Sequence, residues 1–106
     1  MLIAWTTVAT KAEADQLAQS VIEQRLAACV QVEGPLSSTY RWEGKVECAE
    51  EFRLCLKFLP NQSAALSAWV HAHHPYQAPE WIVVQAVEVG EKYLSWAGAN
   101  PTNPPL

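Results

Sequence analysis

Positive charge is scarce in this sequence. Seven Lys and Arg stand against eleven Asp and Glu, giving a net charge of −4 and a pI near 5.2. That balance argues against wrapping nucleic acid, whose binding is driven by cationic side chains neutralising phosphates, and against an anionic membrane surface for the same reason. Long apolar runs are missing too. Nothing approaches the roughly 20 residues needed to cross a bilayer, and the opening MLIAWTTVATK has neither a basic leader nor an apolar stretch of signal-peptide length. Cytoplasmic residence is the expectation. There are only four glycines, and no glycine-rich phosphate loop among them. Three cysteines, an odd number, do not make a disulfide framework. Cys48 and Cys55 fall on one extended segment, where seven steps of about 3.3 Å carry them beyond disulfide reach. Each cysteine is expected to be a buried small hydrophobe, and no histidine falls beside one to activate it.

What the chain has instead is apolar bulk. Of its 106 residues, half are hydrophobic, five are Trp and only 17% are charged. A domain of this size still exposes much of its surface, so some of those indoles are expected to be buried against other subunits.

The pattern reads as strand, helix, strand, strand, helix, strand. Leu2 to Val8 is short, apolar and rich in β-formers. Thr10-Lys11-Ala12-Glu13 is a capping box. Ala14, Leu17, Ala18, Val21, Ile22 and Leu26 recur at helical steps after it, predicting a helix to about Ala28. A strand starts at Cys29–Val32, is punctuated by Gly34-Pro35, resumes to Trp42 and turns at Glu43-Gly44-Lys45. From Phe52 to Leu59, Phe52, Leu54, Leu56 and Phe58 face one way, while Arg53, Cys55 and Lys57 face the other. A second helix opens near Pro60–Ser63, carries Leu66, Trp69, Val70 and His73 on one side, and is stopped by Pro75. Trp81 to Val89 reads as a strand covered on both faces, and Glu91 to Gly98 as a short helix.

This order predicts an α+β ferredoxin-like βαββαβ sandwich with a long β2–β3 hairpin and a short C-terminal helix. Residues 1–98 form the single domain. Residues 99–106 make a proline-rich tail expected to be disordered.

Four phrases then coincide: RLAACV at Arg25 to Val30, YRWEGKVE at Tyr40 to Glu47, HHPYQAPE at His73 to Glu80, and YLSW at Tyr93 to Trp96. Together they make the chain resemble the CutA divalent-cation tolerance family from Leu2 to about Gly98. The resemblance implies a tight homotrimer, PII-like in architecture, cytoplasmic, linked to copper and other divalent metals, with no catalytic reaction. An overhanging hairpin fits that implication, because its edges need covering against uncontrolled pairing.

The resemblance places metal ligands at His73 and His74 and at a first-strand cysteine, but IAWTT puts Trp5 there. Without the soft thiolate that favours Cu(I), weak Cu2+ or Zn2+ binding is expected, joined by Glu80 or by histidines of a neighbouring subunit. The plain alternative has His73 on the apolar face of its helix, with His71 and His74 complementing the negative helix end. Tyr40, Trp42, Lys45, Glu47, Tyr76, Glu80 and Trp96 are expected near intersubunit clefts, either as an interface network or as a pocket. Arg41, Lys45, Arg53 and Lys57, interleaved with Glu43, Glu47, Glu50 and Glu51, read as a mixed solvated surface. A second function, from another class, is a PII-like signalling or scaffold trimer whose clefts take a small molecule or partner protein. Ala86, where relatives often carry proline, predicts that the usual break in the last strand is absent.

Overall fold

The computed structural model describes residues 1–99, so the tail predicted over 99–106 lies outside the described residues except for Ala99. Its elements are β1 (Leu2–Val8), α1 (Lys11–Glu23), β2 (Cys29–Trp42), β3 (Lys45–Phe58), a 3-10 turn (Pro60–Gln62), α2 (Ser63–His73), β4 (Ile82–Gln85) and α3 (Glu91–Gly98). The four strands form one antiparallel sheet in the order β2-β3-β1-β4. This is the ferredoxin-like arrangement that the element order predicts.

The strand pairing decides which residues meet the helices. Leu2, Ala4, Thr6 and Val8 stand opposite Phe58, Leu56, Leu54 and Phe52, and a two-residue side-chain period puts all eight on one face. Ala14, Leu17 and Val21 of α1 and Leu66 and Val70 of α2 close over that face, completing the buried core. Each such Leu, Val or Phe contributes about 1.5–3 kcal/mol by leaving water.

The opposite face of the sheet stays open. Ile82 and Val84 stand across from Trp5 and Ile3 and are 52% and 41% exposed. The prediction that the last strand is covered on both sides and runs to Val89 is corrected here. β4 is a four-residue edge strand, ending just before the Ala86 N–H bond to the Met1 carbonyl, so the break occurs without a proline. α3 lies over the β2–β3 end of the open face, with Lys57 Nζ 5.7 Å from the centre of the Tyr93 ring.

The helix α1 begins with Thr10 as its N-cap, Glu13 N–H donating to Thr10 Oγ1 at 3.2 Å; the Glu13 carboxylate takes the Thr10 hydroxyl in place of the reciprocal backbone bond of a full capping box. It ends at Glu23 rather than near Ala28. Arg25 takes a positive φ of 59°, and Arg25 and Leu26 N–H donate to the Ile22 and Val21 carbonyls. That is a Schellman stop built without the usual glycine. Gln62 then ties the 3-10 turn to this corner, its amide donating to the Arg25 carbonyl at 2.9 Å.

The hairpin is long because β2 and β3 each run 14 residues, and it stretches the molecule to 47 Å against 27 and 24 Å. Glu43 and Gly44 turn it with φ of 50° and 79°, as a type I′ loop requires. β2 is continuous but shifts register between Glu33 and Leu36, at the predicted Gly34-Pro35 punctuation. Cys48 is exposed on this extension, whereas Cys29 and Cys55 are half-buried. The expectation that all three are buried is therefore not met: the hairpin carries Cys48 past the helices that would cover it, and Cys29 and Cys55 are only partly covered. No described helix is long and apolar enough to cross a membrane.

Candidate functional site

Thr6 is a polar residue in the helix-covered core, only 1% exposed. A buried hydroxyl without a partner is costly, and His74 provides one: its Nε2 lies 2.9 Å from Thr6 Oγ1. The other ring nitrogen, Nδ1, accepts the backbone N–H of Tyr76 at 3.0 Å. An N–H can only donate, so Nδ1 is bare and the proton sits on Nε2, which donates to the threonine. His74 is thus a neutral imidazole with both nitrogens engaged. Burial lowers its pKa, opposed by a backbone bond with Thr7. The extended backbone before Pro75 (φ −69°, ψ 137°) turns the ring inward toward β1.

His73 is held differently. Its Nδ1 lies 2.8 Å from the Trp69 carbonyl one turn earlier, and a carbonyl can only accept, so Nδ1 carries a proton and donates it there, leaving Nε2 as the ring nitrogen outside that bond. The ring is exposed and stacks on Trp69 at 4.2 Å and 16°. His73 therefore lies against Trp69 on its helix and outside the buried core. His71 repeats the device from the next face, with Nδ1 2.7 Å from the Ser67 carbonyl and its ring edge-on to Trp81. Among the described residues no three His, Cys, Asp or Glu side chains converge on a point where a metal ion fits.

Tyr76 links this corner to the hairpin, its hydroxyl donating to Glu51 Oε2 at 2.9 Å. Burial and the neighbouring carboxylate push its phenol well above the usual range. Tyr40 stands opposite Glu47, and Trp42 opposite Lys45, at the far end of the hairpin, where Trp42 is 62% exposed. Trp96 is on α3 beside Tyr93, with ring centres 5.7 Å apart, and that helix sits at the hairpin's base. Glu80 is exposed in the loop before β4. One chain thus gathers Tyr40, Trp42, Lys45 and Glu47 at one end of the hairpin and holds Trp96 at the other.

Sequence reasoning missed Thr6, Glu51 and Trp69. Trp69 had a signal, since it lies one helical turn before His73. Thr6 and Glu51 are brought in only by strand pairing. On the solvated hairpin, Arg53 forms an ion pair with Glu33 at 2.6 Å. The Ser37 and Thr39 hydroxyls lie beside Cys48 Sγ and lower that thiol's pKa.

A βαββαβ sandwich with a long hairpin and an open sheet face defines an α+β domain of the ferredoxin-like class. The CutA1 divalent ion tolerance protein family model matches residues 2–100, and the chain belongs to that family. The divalent-cation tolerance protein CutA of Yersinia pestis (strain Pestoides F) is 36% identical over 99 residues, covering 93% of this chain and 83% of the relative. The structure of CutA from Synechococcus elongatus PCC7942 superposes with a TM-score of 0.87 at 38% identity, covering 91% of this chain and 85% of that one. The divalent cation tolerance protein Cut A1 from Thermus thermophilus gives 0.85 at 35% identity, covering 92% and 95%. The family is named for tolerance of ions, not for a reaction.

Proposed function

We propose that the chain acts without catalysis, as one subunit of a cytoplasmic homotrimer that takes up Cu2+ or Zn2+ weakly, metal tolerance following from sequestration or sensing. The observation that carries this reading is the bond from His73 Nδ1–H to the Trp69 carbonyl, which fixes the ring with Nε2 in solvent. Anchoring one imidazole nitrogen to a backbone carbonyl is how proteins commonly orient the other toward a metal. One imidazole binds weakly, so further donors come from Glu80 or from histidines of a neighbouring subunit. Trp5 offers no thiolate. His74 suits a positioning role better than ligation, because turning Nε2 to a metal strands the Thr6 hydroxyl. Trimer formation is supported by the open face carrying Trp5, Ile82 and Val84 and by the overhanging hairpin. Three free cysteines accord with a reducing compartment.

The test is calorimetric titration of Cu2+ and Zn2+ into the natural protein, His73→Ala and His74→Ala. His73→Ala is expected to abolish the measurable heat, and His74→Ala to spare it once allowance is made for lost stability. Equal affinity in the natural protein and His73→Ala contradicts the reading.

A second reading, a PII-like signalling or scaffold trimer with a ligand in its intersubunit clefts, is favoured by one arrangement. The hairpin-tip residues Tyr40, Trp42, Lys45 and Glu47 lie about 40 Å of strand from the base where Trp96 sits, so they can share a cleft only between copies. Native mass spectrometry of gently purified protein checks it, and a trimer mass with no retained or competing ligand counts against it.

A further inference from the structure

The metal reading uses only the solvent edge of His73. Between α1 and α2, on the outer side of the sandwich, a cavity of about 230 Å3 is lined by Glu13, Gln16, Leu17 and Ser20 of α1 and by Trp69 and His73 of α2. The α1 residues recur at three- and four-residue steps and so share one stripe. The polar character of this stripe is that of an acceptor. Glu13 is an anion, with Oε1 receiving the Thr10 hydroxyl at 3.0 Å and Oε2 left over. Among the described residues no Lys or Arg lines the cavity, and Lys11 on the same helix is paired to Asp15 at 2.7 Å. The Trp69 and His73 rings are stacked face to face, centres 4.2 Å apart, so the pair presents an outer aromatic face, with Leu17 as an apolar neighbour in the same lining.

An acid beside an aromatic ring face recognises a planar cation. A guanidinium lays its face on aromatic rings while its N–H fork meets a carboxylate. We propose that the cleft between α1 and α2 binds a small molecule bearing a guanidinium group, held by Glu13 and laid on the outer face of the stacked Trp69–His73 pair, with its alkyl part against Leu17. This goes beyond the metal reading and does not rest on it.

The test is titration of agmatine into the full-length, chelator-treated protein, followed by 1H–15N NMR. Saturable shifts are expected at the Trp69 indole N–H and the Glu13 and Gln16 amides, weakening as salt screens the charge. Glu13→Gln keeps the Thr10 cap, which bonds the backbone N–H of residue 13, and is expected to weaken agmatine about tenfold, the loss of one charged partner. Butylurea, neutral but planar, is expected to bind the natural protein no better than agmatine binds that variant. Shifts that fail to saturate, that fall elsewhere, or that are equal in Glu13→Gln overturn the proposal. Because Glu13→Gln leaves His73 intact, failure here leaves the metal titration standing, and the reverse holds.

Discussion

The Tyr76 hydroxyl donates to Glu51 Oε2 at 2.9 Å across 25 residues of sequence, so the loop that ends α2 is fastened to the middle of β3. Both groups are half-buried. Tyr76→Phe keeps the ring and leaves the carboxylate without its donor, which is expected to cost about 1 kcal/mol, at the low end for a bond to a charged group because water reaches the site. Urea denaturation is expected to show a lower midpoint with an unchanged slope. An unchanged midpoint means the link contributes nothing.

Gly34 is the position in β2 where no side chain fits. Its φ is +149°, and a Cβ there meets Phe52 Cδ2 at 2.7 Å and the Glu51 carbonyl oxygen at 3.1 Å. Neither a packed ring nor a strand carbonyl yields easily. Gly34→Ala is expected to destabilise the fold by about 2 kcal/mol through overpacking and backbone strain. Gly44→Ala has open space around the added methyl and retains only the strain of positive φ, so it is expected to cost less. Thermal unfolding of both variants checks the order.

Stability is expected to depend on His74. Its folded pKa lies below the ordinary 6.5, with burial the main cause, so the unfolded chain binds the proton more readily. The contribution is complete above about pH 6.5 and is lost as pH falls from there toward the folded value. Glu13 of α1, Glu51 of β3 and His71 of α2 also face this ring: the two carboxylates raise its pKa and His71 lowers it. Urea midpoints measured from about pH 7.5 to 5 are expected to fall at the acid end, with a shallower fall in His74→Gln. A natural-protein midpoint that rises on acidification contradicts the neutral state assigned to this ring.

Tyr76 acts at the other end of the scale. Its phenol is raised well above 10, so its contribution is present below the unfolded pKa near 10 and declines as pH rises beyond it. Natural protein is expected to lose midpoint above about pH 10 faster than Tyr76→Phe does.

Much of the architecture was legible because periodicity and caps act locally. The Thr10–Glu13 box, the alternation from Phe52 to Phe58, the Pro75 stop and α3 each depend on neighbours in sequence. The misreadings have physical reasons. α1 looked five residues longer because an arginine, not a glycine, takes the left-handed position at residue 25. β4 looked longer because its apolar run, including exposed Val83 and Val84, signals burial that this chain alone does not complete. The histidines were found by composition, but their unlike roles depend on Thr6 and Trp69, and only folding reveals which nitrogen is engaged.

The proposed function rests above all on copies of this same chain covering the open sheet face around Trp5, Ile82 and Val84. Sedimentation equilibrium at about micromolar concentration, where weak association dissociates while a tight obligate interface persists, tests this directly. A single species of three times the 11.7 kDa chain mass is expected. A folded species of one chain mass, with far-UV circular dichroism showing intact helices and strands, contradicts it.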